Sequence, residues 1–205
     1  MRDFCNITIK RFLRNEEDLE QELVEVLEII GLPENYDFDS GKKDLGGLWF
    51  KESKSFLKED YCRIYILKEE NSSNIIGYIS ISCCHVEFHK DFIDTDIKIR
   101  YIPSLLIGKL AIDKKFRRQY FGTDLLKFAT HIGLEISQQV GCRLLIVDVL
   151  TNTQSISFYK KFKFDYVFES IGKSVEDTLN KNQKCERDTI KMYFDLSNVK
   201  KTTNP

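Results

Sequence analysis

Apolar residues recur along this chain with two different periods, and the changes from one period to the other mark out its elements. From Ser104 to Ile112 the residues are almost all apolar, with Lys109 the one charged interruption, as expected of a strand covered on both faces. A basic, polar turn follows over Asp113 to Arg118. After Gly122, Leu125, Ala129, Ile132, Ile136 and Val140 recur at steps of three and four, the stripe of an amphipathic helix, and Gly141 closes it. Arg143 to Val149 is a second apolar run rich in β-branched residues, and Thr151, Asn152 and Thr153 are all suited to start a short helix. A strand that feeds a helix through a turn leaves backbone N–H groups at the helix start, where an anion is favoured.

The flanking regions extend this pattern. Phe4 to Leu13 reads as a strand, with Ile7 and Ile9 on one face. Asn15 then caps a predicted helix with an acidic first turn, a stripe of Leu19, Leu23, Val26, Leu27 and Ile30, and a stop at Gly31 and Pro33. Asp39 to Phe56 reads as a weaker helix, since Gly46 and Gly47 lie inside it, with Leu45, Leu48, Trp49 and Phe56 available to pack. Tyr61 to Leu67 and Ile75 to Cys83 read as a hairpin turned through Asn71 to Asn74. Residues 84–101 fit two readings, an extension of the hairpin or a loop. Asp165 to Glu169 reads as a short strand, and a polar loop is expected through Gln183. Ile190, Met192, Phe194 and Leu196 then alternate with polar neighbours as in a half-buried strand. The sum is an α/β chain with a mixed sheet, expected as one domain over residues 1–197 with a disordered tail over 198–205.

Composition narrows the picture. The 205 residues suit one domain, and 31 basic against 32 acidic side chains give no global field for nucleic acid or an anionic membrane. Any such attraction is local. From Lys98 to Arg118 the count is Lys98, Arg100, Lys109, Lys114, Lys115, Arg117 and Arg118 against Asp113 alone. The six cysteines show no metal spacing, and Cys83 and Cys84 are neighbours unsuited to bridging, so reduced thiols and a cytoplasmic protein are expected. No stretch resembles a signal peptide or a membrane span. His85, Glu87 and His89 would share a face of an extended segment, but without a fourth ligand no metal site is expected.

Two motifs carry a resemblance. Arg117-Arg118-Gln119-Tyr120-Phe121-Gly122 falls on the Arg/Gln-x-x-Gly-x-Gly/Ala turn of the GNAT N-acetyltransferases, and Asn152 to Phe164, NTQSISFYKKFKF, is similar to that family's second signature. Within the family, the order and spacing look closest to the toxin branch that acetylates aminoacyl-tRNA. Tyr120 and Lys163 depart from the pattern by standing where glycines are expected.

The resemblance implies a central sheet flanked by helices, with acetyl-CoA as cosubstrate at the strand-turn-helix unit. The pyrophosphate would lie on the turn formed by Arg117, Arg118, Gln119, Tyr120, Phe121, Gly122 and Thr123, and the pantetheine arm along Leu110, Ala111 and Ile112. Asn152 would orient the cofactor or cap its helix, and both readings stay open. Tyr159 is the implied general acid, with packing against Phe158 and Phe162 as its alternative role. Tyr120, at a helix start, is expected to keep helical backbone angles and swing its ring outward. The implied partners are an amine acceptor, tRNA if that acceptor is aminoacyl-tRNA, a second copy of the chain, and a separate antitoxin chain.

No carboxylate on the central strand stands out as a general base, which leans towards an acceptor needing little help. An α-amino group, pKa about 8, is partly neutral at physiological pH, whereas a lysine near 10.4 is almost wholly charged. A small-amine acetyltransferase is the rival enzyme reading. An acyl-CoA-binding module without turnover, suggested by Tyr120 and Lys163, is the rival of another class.

Overall fold

A computed structural model of the protein describes residues 7–9, 24–28, 38–42, 45, 55–69, 74–87 and 100–199. The chain runs through β1 (Ile7–Ile9), β2 (Val24–Glu28), β3 (Arg63–Glu69), β4 (Ile75–Glu87), β5 (Tyr101–Ile112), a 3-10 turn (Lys114–Phe116), α1 (Phe121–Gln139), β6 (Leu144–Leu150), α2 (Thr153–Lys161), β7 (Asp165–Tyr166), α3 (Glu169–Asn180) and β8 (Thr189–Asp195). It divides into two compact units, Met1–Ser82 with Gly108–His131, and Cys83–Ile107 with Ile132–Pro205.

In the first unit the strands follow the order β1-β2-β3-β4-β5, with β1 to β4 antiparallel. β2 corrects the helix expected from Asn15 to Ile30, at least over Val24–Glu28; the residues just before and after it lie outside those described. Val-Glu-Val-Leu-Glu satisfies the period of a strand as well as that of a helix. Val24 to Val26 pair with β1 on one side and all five residues pair with β3 on the other, which supplies the ladder partners that a strand requires. Phe38, Ile66, Ile75, Tyr78 and Ala111 form a core cluster with Leu45 against it, and the Tyr78 hydroxyl donates to the Leu45 carbonyl at 3.1 Å. Leu45 therefore packs as its sequence suggested, while Leu48, Trp49 and most of the helix expected there lie outside the described residues. Phe56 is exposed and rests on Tyr61. The first half of α1 buries Leu125, Leu126, Phe128 and Ala129, and Phe128 meets the Tyr65 ring edge-on.

The second unit has a mixed sheet. β5 pairs parallel with β6 from Ser104↔Leu144 to Ile107↔Val147, β6 pairs antiparallel with β8, and β8 pairs with β7. Val86, Ile102, Leu144, Ile146 and Val167 form its core cluster. The Arg143 guanidinium donates two bonds to the Asp195 carboxylate, at 2.7 and 2.8 Å, tying the start of β6 to the end of β8. β4 continues to Glu87 and β5 begins at Tyr101, so over residues 84–87 the hairpin-extension reading holds.

Three expectations change in this unit. The polar loop expected before Gln183 is largely the helix α3. Ile171, Val175 and Leu179, spaced by four, line one face, and Glu169, expected at a strand end, opens it. The stripe on α1 stops at Ile136: Val140 is 78% exposed, because Gly141 at φ 74 turns the chain away immediately after it. Asn198 and Val199, expected in a disordered tail, complete a helical turn in which the Val199 amide bonds the Leu196 carbonyl at 3.2 Å.

Candidate functional site

The first unit holds the strand end, the turn and the helix start. Leu110, Ala111 and Ile112 close β5, and their placement depends on Gly77 of β4. A Cβ at Gly77 would lie 2.5 Å from Ile112 Cδ1 and 2.7 Å from the Ala111 carbonyl oxygen, so a glycine is what lets the strands approach here. β5 continues to Ile112, beyond its last parallel pair at Ile107.

Asp113 follows, with 1% exposure. Its carboxylate accepts from the Lys115 amide at 2.8 Å, capping the 3-10 turn, and from the Asp39 amide at 2.8 Å. Its own amide donates to the Ile76 carbonyl at 2.9 Å. Asp39 in turn accepts from Lys114 Nζ and from the Gly41 amide, both at 2.7 Å. The Lys114 hydrogen bond, then the Gly41 amide, hold its carboxyl below the usual range. Arg117 Nη2 donates to the Ser40 carbonyl. Two of the cations credited to an anion site by sequence, Lys114 and Arg117, thus each spend at least one donor on residues 39 and 40. Arg100 is likewise paired with Glu87 at 2.7 Å, so the local positive excess is smaller than the sequence count.

The backbone of the turn is its most distinctive feature. Arg117 has φ −66, Arg118 has φ 62 and Tyr120 has φ 68, while Gln119 and Phe121 are not in the positive region. The two left-handed residues bend the chain into the start of α1, the end of a helix at which an anion is favoured. The first bond into α1 runs from the Asp124 amide to the Tyr120 carbonyl at 3.1 Å, so Phe121, Gly122 and Thr123 form the first turn, whose amides precede the helical ladder. Tyr120 corrects the expectation of helical angles. The turn requires a left-handed residue at this point, and the side chain accepts that conformation at a cost of about 1–2 kcal/mol. Its ring does lie outward, 62% exposed.

The second unit holds α2. Asn152 at φ −138 is its N-cap, and the side-chain oxygen accepts from the Ser155 amide at 2.8 Å, so the capping role is realised. Ile156 and Tyr159, three residues apart, are its buried residues. The Tyr159 ring is 8% exposed and meets Phe158 and Phe164 edge-on, with centroids 5.1 and 5.3 Å away, while Phe164 lies on Phe194 of β8. Burial pushes its hydroxyl well above the ordinary phenol range, so it stays protonated at neutral pH. Among the described residues nothing hydrogen-bonds this hydroxyl, and the side-chain atom sealed without a partner is Ser197 Oγ instead. The packing role and an available donor therefore coexist at Tyr159.

Beyond α2 the chain closes in a Schellman turn, with the Lys163 amide bonding the Lys160 carbonyl at 2.9 Å and the Phe164 amide bonding the Tyr159 carbonyl at 3.2 Å. Lys163 has φ 62, as a glycine there would. His85 packs edge-on to Tyr101, and among the described residues no group of three His, Cys, Asp or Glu side chains is placed to hold a metal ion. His89 lies outside them. Nor is any described helix long and apolar enough to cross a membrane. The braces at Asp39, Ser40 and Asp113 were not found by sequence reasoning. An aspartate directly after an apolar strand was the available signal for Asp113; nothing local marked the other two.

"Probable toxin TacT" of Sinorhizobium fredii (strain NBRC 101917 / NGR234) is 25% identical over 126 residues, covering 57% of this chain and 70% of that protein. Two solved structures of AtaT share the fold. One, a toxin variant bound to the C-terminus of the antitoxin AtaR and acetyl-CoA, has a TM-score of 0.61 at 20% identity over 89% of this chain and 99% of that one. The other, AtaT complexed with acetyl-methionyl-tRNAfMet, has a TM-score of 0.61 at 20% identity over 88% and 99%. Residues 60–166, which include β5, the turn, α1 and α2, match the family described as "Acetyltransferase (GNAT) domain". The chain belongs to the GNAT acetyltransferase family and is an acyltransferase.

Proposed function

We propose that this protein transfers the acetyl group of acetyl-CoA directly to a primary amine, and that the acceptor is the α-amino group of an aminoacyl-tRNA. The observation that carries the first part is the turn from Arg117 to Thr123, which leads from the end of β5 into a helix start whose amides suit a pyrophosphate. The edge of β5 past Ile107 offers Leu110, Ala111 and Ile112 for the amide groups of pantetheine. Asn152 keeps its side-chain nitrogen for the cofactor while its oxygen caps α2.

The chemistry then needs few groups. The neutral amine attacks the thioester carbonyl carbon, a C–N bond forms, and an oxyanion develops for a β5 amide to stabilise. As the C–S bond breaks, Tyr159 donates its proton to the leaving sulfur. The proton shed by nitrogen replaces it, so amide and free thiol leave with no net proton demand. The acceptor is supported by the α-amino pKa, which spares a strong base, and by the likeness to AtaT, whose complex holds acetyl-methionyl-tRNAfMet. A separate antitoxin chain is proposed as a partner on the parallel with AtaR.

Incubation with acetyl-CoA and a mixture of charged tRNAs, followed by thiol release, tests the assignment. Release that needs the aminoacyl group, absent with deacylated tRNA and slow with free lysine or polyamines, is expected. Equal or faster turnover of small amines would reassign the acceptor.

A further inference from the structure

Ser80 of β4 is buried, 4% exposed, and its hydroxyl oxygen accepts from the Lys109 amide of β5 at 2.8 Å. Both residues lie in the first unit. Further along, the Asp113 amide donates to the Ile76 carbonyl at 2.9 Å, so four steps along β5 match four steps back along β4, and the two strands run antiparallel and in register over this stretch. Successive amides of a strand point to opposite edges. Lys109, Ala111 and Asp113 therefore aim their amides at β4, while Leu110 and Ile112 aim theirs at the other edge, past the last parallel pair at Ile107. Upstream the register breaks. Lys109 stands opposite Ser80 and shares its face, yet a Cβ at Gly108 would also lie on that side, 3.1 Å from Ser80 Oγ. Neighbours on a regular strand point to opposite faces. Gly108 and Lys109 together oppose Ser80, the two-against-one arrangement of a β-bulge.

We propose that Ser80 is a positioning residue for acetyl transfer: its hydroxyl pins the bulge at Gly108 and Lys109 and so aims the Leu110 amide at the thioester oxygen. This rests on the reading of β5 and its turn as the acetyl-CoA site. With the pyrophosphate on the turn and the pantetheine arm running back along Ile112 and Ala111, the thioester reaches the chain at Leu110, directly beside the bulge. The reacting end of the cosubstrate thus arrives where β5 departs from a regular strand. A bulge re-aims backbone groups but disrupts the ladder that would hold them. An oxyanion donor is effective when it is fixed in advance, because nothing is then spent on turning it during the reaction. The Ser80 hydroxyl supplies the fixing, and Gly108, without a Cβ, leaves it room. Ser80 acts through the backbone and touches no reacting atom.

Single-turnover acetyl transfer from acetyl-CoA to charged tRNA and, separately, to small amines, by wild type, Ser80→Thr, Ser80→Val and Ser80→Ala, tests this alongside acetyl-CoA titration and hydrogen exchange at the Lys109 amide. Threonine and valine have the same shape and differ in the hydroxyl, and Ser80→Ala, which only removes the oxygen, needs no extra room; melting curves verify folding. Expected is a transfer rate lower by about tenfold or more in Ser80→Val and Ser80→Ala, within about threefold of wild type in Ser80→Thr, with acetyl-CoA affinity within about twofold in all. The Lys109 amide should exchange faster in the valine and alanine variants alone. A side chain that merely packs would make threonine and valine alike. Transfer by Ser80→Ala at the wild-type rate, or Lys109 exchange equal in all four proteins, would overturn the role of Ser80 while leaving acetyl transfer intact. Wild type that transfers acetyl to neither kind of acceptor would overturn the underlying reading and this proposal with it.

Discussion

Replacing Lys163 with glycine should make the protein more stable. Lys163 occupies φ 62 at the end of α2, where the Lys163 and Phe164 amides close the helix. A left-handed residue with a Cβ carries a penalty of about 1–2 kcal/mol, which glycine lacks. Glycine loses more backbone freedom on folding, about 0.5–1 kcal/mol, which offsets part of the gain. The lysine is exposed, and no ion pair from it is recorded among the described residues, so truncation forfeits little. The net is a gain of about 1 kcal/mol, or about 2–4 °C in Tm for a chain of this size. Circular dichroism during heating measures it, and urea titration should move the midpoint without changing the slope. Lys163→Asn, which tolerates positive φ, should fall between the two, and Lys163→Val below wild type. An unchanged or lower Tm for Lys163→Gly would mean that the helix does not end in this conformation in solution.

Two further outcomes follow from the packing. Gly77→Ala should push the Ala111–Ile112 end of β5, since its Cβ would stand 2.7 Å from a backbone oxygen; about 1–3 kcal/mol of stability and most acetyl-CoA affinity should be lost, and a variant binding acetyl-CoA normally would remove Leu110 to Ile112 from the site. At Asp195, burial raises the carboxyl pKa but the Arg143 guanidinium and the Ser197 amide more than offset it, so the folded value lies below the unfolded one. The stability this confers is present above about pH 4 and lost as pH falls through the folded value; Asp195→Asn should therefore cost about 1–3 kcal/mol at neutral pH and converge with wild type in acid, whereas a gap constant with pH would contradict the assignment.

What could be read from the sequence was set by how local each determinant is. β5, α1, β6 and α2 are long or sharply punctuated, and Gly141 ends α1 with the positive φ expected of it. Val24 to Glu28 fits both periods, and only its partners, Ile7 to Ile9 and Tyr65 to Glu69, decide for a strand. α3 was hidden because Gly172, Ser174, Thr178 and Asn180 are weak helix formers, although Ile171, Val175 and Leu179 keep the right spacing. Gly172 has a reason to be there: a Cβ would fall 2.1 Å from the Tyr166 ring. In the site, the motif residues were legible as types, but the brace was not. Lys114 meets Asp39 across 75 residues of sequence and Arg117 meets Ser40 across 77, distances over which spacing says nothing. The φ of Tyr120 was misjudged because the helix start was weighed without the turn before it, which sets that angle.

The central claim is acetyl transfer from acetyl-CoA to an aminoacyl-tRNA with Tyr159 as proton donor to sulfur. Its most direct test is single-turnover transfer of labelled acetyl to charged tRNA by wild type and Tyr159→Phe, alongside acetyl-CoA titration of both. The ring contacts to Phe158 and Phe164 survive in phenylalanine, so folding and acetyl-CoA affinity should stay near normal while the transfer rate falls by about two orders of magnitude or more. Equal rates in the two proteins, or no labelled aminoacyl-tRNA with either, would contradict the account.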